Sequence, residues 1–283
     1  MTDTRRRALR HGLAIAGVIV AAWMYLVVRD ETWRHPGADA LVYWGVDLAD
    51  PYRNATVGGL NAYLYSPAFA QVFALIGVLP RELFVFVWSL FLALVAVWLA
   101  RPWPASLLVL LLPVSQEILI GNIHLLLAAA IVVGFRWPAA WAFVLLTKVT
   151  PGIGLLWFLA RREWRSLAIA LGVTGVIAAV SFAVAPGLWG SWLALLRSDS
   201  GGDSGRLLLV RLAVAAVIVI WGARTDRAWT VPLGAMLALP VVWSDSFSML
   251  LGCVALSRWR VRPSEVRPEP STPAPTGVPA TTR

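Results

Sequence analysis

Apolar positions in this chain come in long unbroken blocks, and the polar positions fall in the short gaps between them. Runs of hydrocarbon side chains occupy 12–28, 83–100, 104–119, 123–135, 137–147, 152–160, 167–184, 207–222, 229–242 and 247–256. A surface helix of a soluble protein would carry one apolar stripe, whereas a helix in lipid is apolar all round. The pattern therefore predicts an all-α polytopic membrane protein, a bundle of about ten transmembrane helices of up to ~20 residues each. One stretch stands apart. Between Asp39 and Pro67 the chain keeps Asp39, Tyr43, Asp47, Asp50, Tyr52, Tyr63 and Tyr65 in a single long first loop, a concentration of hydrogen-bonding groups in an otherwise apolar sequence. The following apolar stretch, 66–80, is too short for a comfortable span and is expected to lie at, or dip into, the outer interface.

Composition agrees with a membrane protein: 59% of the 283 residues are apolar and 14% charged, with a mean hydropathy of +0.74. The net charge of +9 comes almost wholly from arginine. Because the arginines sit in small clusters between apolar runs, they read as topology signals and not as a nucleic-acid-binding face. The single cysteine, Cys253, excludes an intramolecular disulfide and reads as core packing. Arg5, Arg6, Arg7 and Arg10 before the first run place the N-terminus in the cytoplasm. Trp23, Tyr25 and Arg29 stand where a signal-peptide cleavage site would fall, so the first span is read as uncleaved.

Following the charges from that start puts Arg101, Arg136, the basic cluster at 161–165, Arg224, Arg227 and the arginines of 258–262 inside. The polar breaks at 39–67, 121–124, 148–151 and 243–246 then all fall outside, together with a loop over 186–206. Four interruptions on one face imply a shared cavity, since polar groups facing lipid are costly. A second path, in which 66–80 spans fully and 137–160 is one continuous helix, moves Gly121 and Asn122 inside but puts Arg101 and Arg136 on the wrong side. The chain divides into a membrane domain, 1–262, and a Pro/Ser/Thr-rich cytoplasmic tail, 263–283, expected to be disordered. Residues 198–205 have the glycines of a phosphate-binding loop without its spacing or lysine and are read as a linker.

Several residues could carry chemistry. Asp39, just beyond the first span and followed by aromatic residues, could accept a proton from a bound hydroxyl, although position alone favours a solvated loop acid. Asp50, before Pro51, reads as a turn starter. Lys148, the only lysine, lies 12 residues beyond Arg136, about 18 Å of helix, and so falls inside a hydrocarbon core about 30 Å thick. An ammonium there needs an anion or a wet cavity, and the partner could be a substrate phosphate or a carboxylate such as Glu117 or Asp245. Pro151 would break the helix beside it. Asn122 and His124 could hydrogen-bond a sugar, with Gly121 permitting a tight turn. A histidine at a helix start is more often a structural hydrogen-bonder, and the three histidines are too scattered for a recognisable metal site. Trp243 could stack on a sugar or simply anchor a helix, with Asp245 beside it.

In order, these motifs resemble glycosyltransferase family 87. Asp39 with Tyr43, then Y-L-Y-S-P from Tyr63 to Pro67, is similar to that family's first loop. L-P-V-S-Q-E-I-L-I-G-N-I-H-L-L-L, around Pro113, Gly121 and His124, and L-L-T-K-V-T-P, around Lys148 and Pro151, are similar to two further elements. A late element departs, with Asp245 and Ser246 where the family pattern carries histidines. The resemblance implies a GT-C-like membrane enzyme transferring a hexose, mannose in that family, from a polyprenyl-phosphate-sugar donor to a lipid or glycan acceptor at the outer face of a bacterial plasma membrane. It implies inversion, no cofactor and no required metal. Asp39 would be the general base, and Tyr43, Tyr65, Asn122, His124, Trp243 and Asp245 would line the substrate site. Lys148 as the phosphate's counter-charge is an inference from its depth and charge. The same residues leave room for a transporter or lipid flippase, a non-catalytic scaffold, or an inactive member of the family.

Overall fold

The structure is a computed structural model and describes residues 37–53, 55–56, 59, 62–198 and 203–257. The expected first span and the C-terminal tail lie outside the described residues. Among those residues every regular element is helical. In chain order they are α1 (Ala38–Trp44), α2 (Pro67–Ile76), α3 (Arg81–Ala100), α4 (Ser106–Val109), α5 (Leu111–Ile120), α6 (His124–Gly134), α7 (Trp141–Thr147), α8 (Leu156–Ala160), α9 (Trp164–Val184), α10 (Pro186–Ser198), α11 (Asp203–Arg224), α12 (Thr230–Leu237) and α13 (Leu250–Leu256). Short 3-10 helices at Pro138–Ala140, Thr150–Leu155 and Asp245–Met249 lead into α7, α8 and α13.

Among the described residues three helices are long and apolar enough to cross a membrane: α3, α9 and the part of α11 from Gly205 to Arg224. Their outward faces leave Leu94, Val97, Val176, Val180, Val210 and Val217 exposed. Apolar side chains uncovered along helices of about 30 Å suit a hydrocarbon environment. Between these long helices lies a layer of shorter ones. Helices α5 and α6 together have the length and composition of a fourth span, but they meet at a bend of 108°. The stretches 137–160 and 229–256 are likewise divided into short pieces, interrupted at the polar breaks 148–151 and 243–246.

Each break has a local cause. Gly121, at φ +79°, ends α5 in the left-handed region that glycine enters without strain. Its amide and that of Asn122 both bond to the Glu117 carbonyl. At the second break Lys148 is extended, φ −132° and ψ 108°, and the following 3-10 helix carries Pro151 in its first turn. Residues 137–160 therefore do not form one continuous helix. Helix α2, ten residues long, reaches only about 15 Å and is too short to span. The stretch expected as an outer loop over 186–206 is instead helical over Pro186–Ser198, and α11 begins at Asp203. The reason is the spacing of Trp192 and Leu195, both buried, which with Trp189 present one face to the bundle; the Trp192 indole donates to the Leu64 carbonyl at 3.2 Å.

The long first loop is tied down at its start by α1. Ala40 and Tyr43 are buried one turn apart, and the Gly37 amide donates to the Leu119 carbonyl at 2.7 Å. Around Tyr43 the rings of Tyr65, Phe69, Phe73 and Trp88 pack edge-on, with centroids 5.3–5.8 Å away. Such pairs each add roughly 1 kcal/mol beyond burial. Trp88 also donates its indole N–H to the Gly121 carbonyl at 2.7 Å, so α1, α3 and the α5–α6 bend are fixed together.

A Cβ at Gly121 would lie 2.6 Å from the Ala40 Cβ and 3.1 Å from Trp88. Gly121→Ala combines that overlap with a left-handed backbone, and should destabilise the protein by about 2–4 kcal/mol. A clear fall in the thermal unfolding midpoint of the purified protein checks this.

Candidate functional site

The four polar breaks meet. Helix α1 supplies Asp39 and Tyr43, four residues apart and hence on one face. The Tyr43 hydroxyl lies 3.0 Å from that of Tyr65 and donates to Asn122 Oδ1 at 3.4 Å. From the third break comes Lys148, and from the fourth Asp245. Asn122 Nδ2 donates to Asp245 Oδ2 at 2.8 Å, and the same carboxylate oxygen is 3.1 Å from His124 Nδ1. On its other side the imidazole Nε2 is 2.8 Å from Lys148 Nζ. The ammonium in turn sits 6.0 Å from the centroid of the Tyr65 ring, within reach of its negative face. Tyr65, Tyr43, Asn122, Asp245, His124 and Lys148 thus close a ring of contacts.

Glu117 joins this ring from below. Its Oε2 lies 3.1 Å from His124 Nδ1, and its Oε1 accepts the Leu125 amide at 3.0 Å. The α5–α6 bend brings Glu117 and His124 face to face across seven residues. Glu117 belongs to the cluster although its sequence position points only to a possible partner of Lys148. The available signal is a lone carboxylate inside the apolar run 107–120, where an ionisable group needs a partner.

The proton positions depend on the charge of Lys148. Lys148 as an ammonium can only donate, so His124 Nε2 accepts and the ring proton resides on Nδ1, facing two carboxylates. Among the described residues no ion pair within 4.0 Å joins Lys148 to a carboxylate. The ammonium reaches Asp245 and Glu117 only through the imidazole, which differs from the direct pairing that the sequence leaves open. Glu117, His124 and Asp245 offer ligand atoms within 4.8 Å of one another and by position could hold a cation. Such an ion would have to displace the Nδ1 proton that the two carboxylates already share.

Burial sorts the group into two tiers. Glu117 and His124 are fully buried, and Asp245 is 2% exposed, whereas Asp39 and Lys148 are partly open. Asp39 lies on α1, outside the membrane-spanning helices. Burial, with the neighbouring Asp245 charge, pushes its carboxyl up to about 6 against the opposing pull of Lys148 and His124. Trp243 stands apart: its ring is half exposed, and its backbone amide donates to Ser246 Oγ at 3.1 Å. Asp47 accepts the Ala49 amide at 2.8 Å in a tight turn, and Asp50 pairs with Arg53 at 3.3 Å on the exposed surface. Neither is near the ring. Tyr52 donates to the Tyr65 carbonyl at 2.9 Å and so braces the loop that presents Tyr65.

Apolar-faced helices whose breaks gather ionisable groups around a partly open acid and lysine have the build of a membrane-embedded enzyme or carrier. The sequence model of Glycosyltransferase family 87 matches residues 63–267, well over half of the chain. The protein therefore belongs to glycosyltransferase family 87 and is by class a membrane glycosyltransferase. No curated protein and no solved structure matches the chain.

Removing one member of a buried ionic network leaves the others uncompensated. Asp245→Ala strips partners from both Asn122 and His124, and should lower stability by about 3–5 kcal/mol. Chemical or thermal unfolding of the purified variant against the parent measures the loss.

Proposed function

We propose that the protein transfers a hexose, mannose in the first instance, from a polyprenyl-phosphate-sugar donor to a lipid or glycan acceptor, with inversion, and that Asp39 is the general base. The observation that carries this reading is a partly open carboxylate, Asp39, close enough to the buried polar ring to feel the charges of Asp245, Lys148 and His124, beside a partly open ammonium, Lys148, on that ring. A transfer of this kind needs a group to take a proton and a group to receive negative charge. Asp39 removes the proton from the acceptor hydroxyl as its oxygen attacks the anomeric carbon. The bond from that carbon to the phosphate oxygen breaks, and the electron pair leaves with the polyprenyl phosphate. Lys148 faces the charge that develops there, in surroundings of low dielectric where such an interaction is strong.

Tyr65 and Asn122, each with a small exposed edge, line the acceptor or sugar side, Tyr43, at 1% exposed, braces them, and Trp243 offers a stacking face. His124 and Asp245 are assigned to support, not to substrate contact, because both are buried beneath Lys148 and Asn122. The chain sits in a bacterial plasma membrane as a GT-C-like bundle of about ten passes, counting its short and broken helices, with the first loop and the mouth of the site toward the outer face. Arginine clusters on the opposite side of the path support that orientation.

Radiolabelled mannose carried on a polyprenyl phosphate tests the reading against nucleotide-linked mannose as donor. Transfer from the lipid-linked donor is expected, and transfer only from the nucleotide-linked one would defeat the assignment. Asp39→Asn should lower turnover by about 10²–10⁴-fold, the usual range for loss of a general base, while protein yield and donor binding stay near the parent. A full-rate Asp39→Asn enzyme would remove Asp39 from catalysis.

The base works only when ionised. With its carboxyl raised to about 6, turnover should climb as pH increases through that value and level off above it. A pH–rate profile without that limb would count against Asp39.

A further inference from the structure

We propose that His124 is a positioning residue that holds the Lys148 ammonium at the phosphate-binding place of the site, and that Asp245 and Glu117 serve to fix the imidazole for that task. This rests on the reading of Lys148 as the cation that meets the donor phosphate.

Four observations lead to it. First, His124 is completely buried, so it cannot touch a substrate itself, while Lys148 is partly open. Second, the imidazole bridges the two tiers, with Nε2 2.8 Å from Lys148 Nζ and Nδ1 3.1 Å from each of two carboxylates. A histidine oriented on Nδ1 by a carboxylate presents Nε2 in a fixed direction as an acceptor. Third, lysine is a point charge on a flexible stem with three donors. One N–H is spent on His124, the Tyr65 ring limits another direction at 6.0 Å, and a ligand can take what remains. Fourth, no carboxylate lies within ion-pair distance of Nζ among the described residues. A carboxylate in direct contact would satisfy the ammonium and compete with an incoming phosphate. The neutral imidazole orients the ammonium without neutralising it, and the negative charge that favours the protonated lysine is kept one residue further back.

This arrangement gives His124 a distinct signature. Losing it should weaken the hold on an anionic prenyl ligand more than it slows the chemical step, and a side chain that can still accept from Nζ should restore that hold. Glutamine meets this requirement, because its carbonyl oxygen can face Lys148 while its amide donates toward Asp245. Leucine fills similar space but does neither.

The test uses the full-length protein in detergent and farnesyl phosphate as the probe, with affinity read by calorimetry and with KM and kcat for the lipid-linked sugar measured alongside. His124→Leu should weaken farnesyl phosphate by about tenfold, the order of one hydrogen bond to a charged group. It should raise the donor KM in step while changing kcat less. His124→Gln should stay within about threefold of the parent, since it restores that bond. In a Lys148→Met background the His124→Leu change should produce no further loss of affinity, because the residue it positions is gone. Should the leucine variant not be recovered folded, His124→Asn, whose amide stops short of Nζ, replaces it with the same expectation. A folded His124→Leu or His124→Asn protein with unchanged affinity, equal damage in the glutamine variant, or additive losses in the double variant would overturn the inference while leaving the proposed function in place. A parent protein that transfers hexose but binds no farnesyl phosphate would overturn the phosphate reading, and this inference with it.

Discussion

A lysine held largely out of water within the helical bundle is the constraint to which the rest of this site answers. Moving an ammonium out of water is expensive unless its charge is met nearby. Here the compensation is indirect. Lys148 touches an imidazole, the imidazole touches Asp245 and Glu117, and Asp245 is held by Asn122. These members come from the breaks at 121–124, 148–151 and 243–246 and from α5, and Tyr43 and Tyr65 of the first loop close the ring, so the chain has to bring four separate breaks to one place. The short, interrupted helices between α3, α9 and α11 are the structural consequence.

Irregular backbone inside a membrane is tolerated only where protein or a polar cavity covers it. The bend at Gly121 meets this condition, because its carbonyl accepts the Trp88 indole and its neighbour Asn122 is absorbed into the ring. The extended residue at Lys148 meets it too, since the side chain it releases from the helix is the one that completes the network. The aromatic cluster around Tyr43 has the complementary role. It anchors the start of an otherwise irregular loop, and thereby fixes the position of Asp39 one helical turn away. The polar ring and the aromatic cluster share Tyr43 and Tyr65, so the loop and the buried charges are positioned by the same two side chains.

The late departure from the family pattern, with Asp245 where a histidine would be expected, also gains a physical account. Among the described residues the histidine at the site is His124, on α6, and the Asp245 carboxylate opposite it orients the ring through Nδ1. Asp245 and Glu117 together supply the negative charge that a buried lysine requires. The replacement is therefore consistent with an intact charge network.

Much is legible in the amino-acid order by itself. Unbroken apolar runs determined that the chain is helical and membrane-embedded, because only helices or closed barrels satisfy backbone groups in lipid. Polar interruptions marked Asp39, Asn122, His124, Lys148 and Asp245, since polar groups survive in such runs only when something meets them. What the order could not decide was distance. The segment 186–198 reads as a loop because its tryptophans and leucines show their shared face only once α10 is docked. Glu117 reads as one potential partner of Lys148, because nothing in its spacing says that the bend at Gly121 turns it toward His124. Side-chain types and breaks are local properties, and hydropathy records them. Which buried charge touches which depends on how helices distant in sequence cross, and only the tertiary structure decided that His124 stands between the lysine and its acids.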